Sequence, residues 1–303
     1  MTSASNSVRR ARPLLGTVVE ISAEGLPRDG LDRAVETAFQ AVAKTHRLMS
    51  FHEVESDVSR LNRAAARHPV VVHPWTYEVL QAAQAMHAAS GGAFDITVAP
   101  VLQKLGVLPH DEAEAARGRD AVGFRAVELL PGDRVRFRDS SVRIDLGGIA
   151  KGFAVDRAVA ALRTYDVTCG LVNAGGDLAS FGPRPRRIHV RDPRHPGISL
   201  CRLDLTDAAL ASSGRLIDPP QGVEAPLTAV IDPRSCAPAA SIAGATVRAE
   251  TCVIADALTK LVMIGGPDSR EALERCRASA LFVSCAGELF ATPDWRHEIG
   301  LAA

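Results

Sequence analysis

The sequence predicts an α+β fold, with mixed or antiparallel sheets flanked by helices in one compact body of one or two lobes. Three observations carry this expectation. Strand patterns arrive in hairpins and groups rather than in strict alternation with helices. Several segments repeat their apolar residues at helical spacing. The 303-residue chain also contains no internal repeat and no Pro- or Ser-rich linker that would divide it.

Taken in order, the first strand is expected over Gly16 to Ala23, closed by a turn cluster holding Gly25, Pro27, Asp29 and Gly30. Asp32 to Met49 follows as a helix, because Ala34, Val35, Ala38, Phe39, Val42 and Leu48 recur on one face. Pro74 to Ser90 is a second helix, opened by proline in its first turn and closed by Gly91-Gly92. Asp95 to Leu105 is apolar enough to be buried, and His110 to Gly123 reads as an exposed loop or short surface helix. Val127 to Leu130 and Val135 to Phe137 flank Pro131-Gly132-Asp133 and predict a hairpin. A helix at Ala150 to Tyr165 and a strand at Gly170 to Asn173 come next, then strands at Ile188 to Val190, Ser199 to Leu205 and Leu227 to Ile231. Helices at Cys252 to Ile264 and Ser269 to Arg277 and strands at Ala280 to Ser284 and Leu289 to Ala291 complete the chain.

Composition excludes several function classes. Thirty-five basic residues balance thirty-five acidic ones, which leaves no field to attract nucleic acid or an anionic membrane. Aromatics at 4% are too few for a base-stacking platform. The six cysteines are scattered without metal-ligand spacing, as expected for buried thiols in a reducing compartment. The N-terminal stretch has a basic pair but no signal-length apolar run, so a cytoplasmic protein without a membrane span is expected. Patterns for a nucleophile elbow, a P-loop and a dinucleotide fingerprint are missing, as are paired-histidine metal spacings.

One segment concentrates unusual chemistry. In Ile144 to Asp156, IDLGGIAKGFAVD, a strand end runs through Asp145 into Gly147-Gly148 and then a helix. Two glycines at such a turn let backbone approach a ligand and aim free N–H groups at it. Lys151 falls in the first helical turn, where the helix dipole disfavours a cation, so an anion such as a phosphate is expected to face it. Weaker candidates are VNAGGD (Val172 to Asp177), SGGAFDIT (Ser90 to Thr97), ASSG (Ala211 to Gly214) and IDPR (Ile231 to Arg234). Phe94 beside Asp95 suits a flat ring with a polar edge, or simply a core phenylalanine. Asp256, on an otherwise apolar helix with Lys260 one turn on, suits either an i,i+4 ion pair or a metal or phosphate contact.

In this order, LGTVVEI, MSFHEVESDVSRLN (Met49 to Asn62), SGGAFDITVAPV, IDLGGIAKGFAVD, VNAGGDLASFG, ASSG, VIDPRS and IADALT (Ile254 to Thr259) resemble the ApbE family, the FAD:protein FMN transferases. The resemblance spans nearly the whole chain. It implies a single ApbE-type (T-fold-like) domain over residues 12–295 behind a disordered tail over 1–11. It also implies FAD and Mg²⁺ as ligands, an acceptor flavoprotein as partner, and transfer of FMN to its Thr or Ser with release of AMP. Flavin contacts would then fall on Leu15, His52, Ala93, Phe94, Asp95, Asp145, Lys151, Val230 and Ile231. The metal position would use the Gly148 carbonyl, the Asp256 carboxylate and the group at Thr259.

Three departures fall on the chemistry. The family's proposed catalytic base, a histidine ahead of the IDPR run, is here Ala229. The hydroxyl that the family places on the metal four residues after the aspartate is here Lys260, whose ammonium has no acceptor. The family's tyrosine in the MSTY-like run is His52, which makes His52 the candidate substitute base. Transferase is therefore the first expectation. The alternatives are a non-catalytic FAD-binding protein and an FAD pyrophosphatase.

Overall fold

The computed structural model describes residues 6–109, 123–215 and 228–296. An eight-stranded, fully antiparallel sheet organises it. Strand order is β1 (Ser7–Leu14), β2 (Thr17–Glu24), β6 (Cys169–Ala174), β7 (Asp177–Phe181), β10 (Ala209–Gly214), β13 (Ile242–Ala249), β14 (Ser279–Ser284) and β15 (Leu289–Ala291). A three-stranded sheet runs in the order β3 (Val70–Val71), β5 (Arg134–Phe137) and β4 (Val127–Leu130). Two ribbons join β8 (Arg186–Arg191) to β9 (Ser199–Leu205) and β11 (Ile231–Asp232) to β12 (Ala237–Pro238).

The helices are α1 (Arg28–Met49), α2 (Asp57–Ala64), α3 (Pro74–Ala89), α4 (Ala99–Lys104), α5 (Ala150–Arg163), α6 (Cys252–Gly265), α7 (Arg270–Arg275) and α8 (Pro293–Arg296). The apolar stripe of α1, from Leu31 through Phe39 to Met49, is buried. Its N-terminal two-thirds meets Val155, Ala158 and Leu162 of α5 and Val19 and Ile21 of β2 in one core. A second core joins α6, through Leu258, Leu261 and Val262, to α3, β13 and the small sheet.

The opposite face of the large sheet is covered as well. Leu178, Leu210 and Leu281, on three different strands, pack with Val190, Leu203 and Leu205 of the β8–β9 ribbon and with Trp295. Their neighbours Ala179, Ala209 and Ala280 turn to the helical side, as the two-residue period of a strand requires. The middle of the sheet is therefore buried on both faces. Every residue of β7 is buried, and all but one of β13.

The fold class and most elements match the sequence reading. Three differences have physical causes. Residues 7–11 are not a tail: Ser7 to Leu14 pairs along its length with β2, so the expected start at residue 12 falls inside a strand. The central strands β7, β10 and β13 were not read as strands, because DLASF, ALASSG and IAGATVRA are rich in small residues and lack alternation. Helix α2 is short and polar; the Ser56 hydroxyl accepts from the Ser59 amide at its N-terminus. The loop expected at His110 to Gly123 lies, but for Gly123, outside the described residues, and of the strand expected over Leu227 to Ile231 only Ile231 is in a strand, Leu227 itself lying outside the described residues. Among the described residues no helix is long and apolar enough to cross a membrane.

Candidate active site

The Asp145–Ala150 turn sits where three other segments converge. Its position is held from both sides: the Ile144 amide donates to Asn62 Oδ1 and the Ile144 carbonyl accepts from Asn62 Nδ2, at 2.8 and 2.9 Å. The Asp145 amide donates to the Ile96 carbonyl at 2.8 Å. Phe94 and Lys260 flank Gly148 so closely that an added Cβ would stand 3.6 Å from Phe94 Cε2 and 3.5 Å from Lys260 Cε. Phe94 thus borders the turn, with its side chain buried.

The N–H groups at the start of α5 are occupied from within. Gly147 donates to Asp145 Oδ2 at 3.0 Å, and Ile149 and Ala150 both donate to the Leu146 carbonyl. Gly152 donates to Asp256 Oδ2 at 2.9 Å. The expectation that these amides point freely at a ligand is corrected for Gly147, Ile149, Ala150 and Gly152, and the carboxylates of Asp145 and Asp256 already complement this helix end. A ligand would also meet the wall of side chains around the turn.

That wall carries two ion pairs. Lys151 pairs with Asp177 at the head of β7, and Lys260 pairs with Asp256 one helical turn away. Asp177 also accepts from the Ser212 amide at 3.3 Å. Burial works against the charge on Lys151, but Asp177 and Asp256 outweigh it and raise its pKa. The cation in the first helical turn is thus answered by a carboxylate of the chain itself. Asp177 closes the VNAGGD run, a weaker candidate in the sequence; its pairing with Lys151 places it at the site.

Asp256 is fully buried on α6. Lys260 Nζ donates both to Asp256 Oδ1 and to the Asp256 carbonyl, the latter at 3.1 Å. Thr259 Oγ1 donates to the same carbonyl at 2.7 Å and shares a hydrogen bond with Ser213 Oγ, also at 2.7 Å. The donor set expected for Mg²⁺ therefore does not fit it: both Asp256 oxygens and the Thr259 hydroxyl are engaged, and an ammonium occupies the place of the hydroxyl four residues on. Among the described residues no group of three or more His, Cys, Asp or Glu is placed to hold a metal.

Other expected contacts divide. Burial raises the pKa of Asp145, opposed by the Gly147 amide and by the charges of His52 and Lys260. His52 is thereby placed within electrostatic reach of the turn, with an exposed ring. Leu15 occupies the β1–β2 turn with positive φ, beside Gly16. That turn abuts the β6–β7 turn, since a Cβ on Gly175 would strike Thr17 Oγ1 at 2.5 Å. The Asp95 carboxylate is spent locally: Oδ1 accepts from the Thr97 amide and hydroxyl, and Oδ2 from the Phe124 amide at 3.0 Å. It braces the loop that carries Phe94. Ala93 and Val230 are buried in the core that holds Phe94 and Ile149, whereas Ile231 is buried in a separate cluster with Ala99, Val101 and Leu102. Ala229, where the family's base would stand, is exposed, and the Thr228 hydroxyl donates to the carbonyl of Gly214 at 3.3 Å.

The ApbE family profile matches residues 15–282, which takes in every segment of this wall. The chain belongs to the ApbE family. It is 27% identical over 314 residues to a FAD:protein FMN transferase of Rhodobacter capsulatus, covering 98% of this chain and 59% of that one. It is 26% identical to another of that name from Vibrio cholerae, covering 87% and 83%. Among solved structures, the ApbE protein of Thermotoga maritima superposes with a TM-score of 0.84 at 28% identity, covering 97% and 99%. The flavin transferase ApbE of Vibrio cholerae superposes at 0.81 and 22% identity, a likeness of fold. This ApbE chain thus spans 59% of the Rhodobacter relative's length and nearly all of the Thermotoga structure.

Proposed function

We propose that this ApbE member is an FAD:protein FMN transferase. The observation that carries the proposal is the wall around Gly148, where an aromatic ring and two lysines border a turn that admits close approach. The isoalloxazine ring would lie by Phe94. The diphosphate would meet the ammonium groups of Lys151 and Lys260, which bind phosphate as point charges. An acceptor Ser or Thr oxygen attacks the phosphorus of the FMN half, and that O–P bond forms as the bond to the AMP phosphate oxygen breaks. The hydroxyl proton passes to a base, and AMP leaves. With Ala229 in the family's base position, His52 is the group assigned that role. Holding the phosphoryl group in line and neutralising its charge is most of what such a site must supply.

The test is incubation of the purified protein with FAD and a flavin-acceptor domain, followed by mass spectrometry. An acceptor gaining the mass of FMN, with AMP in equal amount, is the expected result. Bound intact FAD with an unmodified acceptor would instead favour a binding protein, the reading that Ala229 favours. AMP and free FMN without acceptor would mean a pyrophosphatase.

A further inference from the structure

We infer that Lys260 is a built-in cation that takes the place of a divalent metal at Asp256, so that this chain binds its dinucleotide independently of Mg²⁺. The inference rests on the flavin reading only for the identity of the ligand. A carboxylate with no solvent exposure must be paired, and here the pairing is intramolecular. Asp256 Oδ2 takes the Gly152 amide, while Oδ1 and the backbone carbonyl take two of the three N–H bonds of Lys260. The third N–H is what a phosphate oxygen would accept from.

The hydroxyl next to this point is committed too. Thr259 Oγ1 donates to the Asp256 carbonyl and shares a hydrogen bond with Ser213. A small hard cation needs close to six oxygens at about 2 Å, and an ammonium among them supplies none while repelling the ion. Lys260 also stands against Gly148, so its charge lies at the turn the ligand would approach, where a metal would otherwise act. Its side chain keeps only 15% of its exposure, which prevents it from swinging clear without breaking the Asp256 pair.

Two measurements decide this. Manganese EPR on the full chain without nucleotide reads the metal position directly. Wild type should leave Mn²⁺ free, and Lys260→Thr, which restores a hydroxyl, should bind it. Mn²⁺ bound by the wild type, or left free by the variant, overturns the assignment. Quenching of flavin fluorescence then reads the consequence. Wild-type affinity for FAD should be equal in EDTA and in Mg²⁺, whereas the variant should bind about tenfold more weakly in EDTA and recover in Mg²⁺. A wild-type affinity that rises tenfold with Mg²⁺ overturns the inference. Absence of FAD binding under every condition would sink the transferase reading instead, and the EPR result would still decide the role of Lys260. Lys260→Met, which keeps the aliphatic stem but offers no oxygen, should remain free of Mn²⁺ and bind FAD weakly with or without metal.

Discussion

Asp156 on α5 and Asp256 on α6 each place a carboxylate at the start of the other's helix. Asp156 accepts from the Cys252 and Val253 amides, both at 2.8 Å, and Asp256 accepts from Gly152. The reciprocal arrangement ties the two helices that carry Lys151 and Lys260. It makes the geometry of the candidate site a property of the helix pair, because neither end is capped by its own sequence: Ile149 and Thr251 make no side-chain cap bond.

The Asp256 arm of this pair should be the costlier to remove. Asp256→Asn would leave the ammonium of Lys260, largely buried, without its counter-charge, a loss of about 3 kcal/mol. The double variant Asp256→Asn, Lys260→Met removes both charges and should recover much of that loss. Urea denaturation of the four proteins forms a double-mutant cycle. Additive effects would show that the two side chains are not coupled.

Close approach of the helices depends on Gly152. A Cβ there would stand 2.3 Å from the Cys252 carbonyl oxygen and 2.8 Å from Asp256 Cβ, and neither backbone nor buried carboxylate can yield cheaply. Gly152→Ala should therefore cost about 3 kcal/mol or more. Gly30, inside α1, is the contrast: an added Cβ meets only Leu26, at 3.5 Å. Gly30→Ala should stabilise by about 0.5–1 kcal/mol, since alanine loses less entropy in a helix. Thermal melts of the two variants should shift in opposite directions.

Burial lifts the Asp156 carboxyl to about 6, aided by the charge of Asp256 and opposed by its two amide bonds. The sign follows from linkage. A folded-state pKa above the ordinary 3.8 stabilises the protein fully at lower pH, and that contribution is lost as pH rises through 6. Between pH 4 and 7 the wild type should lose up to about 3 kcal/mol that Asp156→Asn does not lose. Parallel stability profiles for the two proteins, measured by denaturant titration across that range, would refute the assignment.

If His52 is the base, its removal should act on turnover more than on binding. His52→Ala should slow transfer about 100-fold in a single-turnover assay while changing FAD affinity far less. Adding Ala229→His should restore much of the rate by returning an imidazole to the exposed position before Val230. An unchanged rate in His52→Ala would exclude the histidine from proton transfer.

Much of this protein was legible in its sequence where local pattern and motif agree. The amphipathic period of α1 and the hairpin at Pro131-Gly132-Asp133 follow from local chemistry. So does the termination of α3 at Gly91-Gly92, both with positive φ. The run IDLGGIAKGFAVD located the site, and the i,i+4 pairing of Asp256 with Lys260 was readable as helical geometry. Tertiary structure decided the rest. It made strands of DLASF and IAGATVRA, whose small residues show no alternation because both faces of the central sheet are covered. It also chose the partners: Asp177 for Lys151, Asp156 for the start of α6, and the Thr97 and Phe124 amides for Asp95. A sequence states which charges exist and how they repeat along an element. Which buried carboxylate meets which amide or ammonium is settled only when strands and helices distant in the chain are packed together, because burial leaves a charge no stable alternative to the partner at hand.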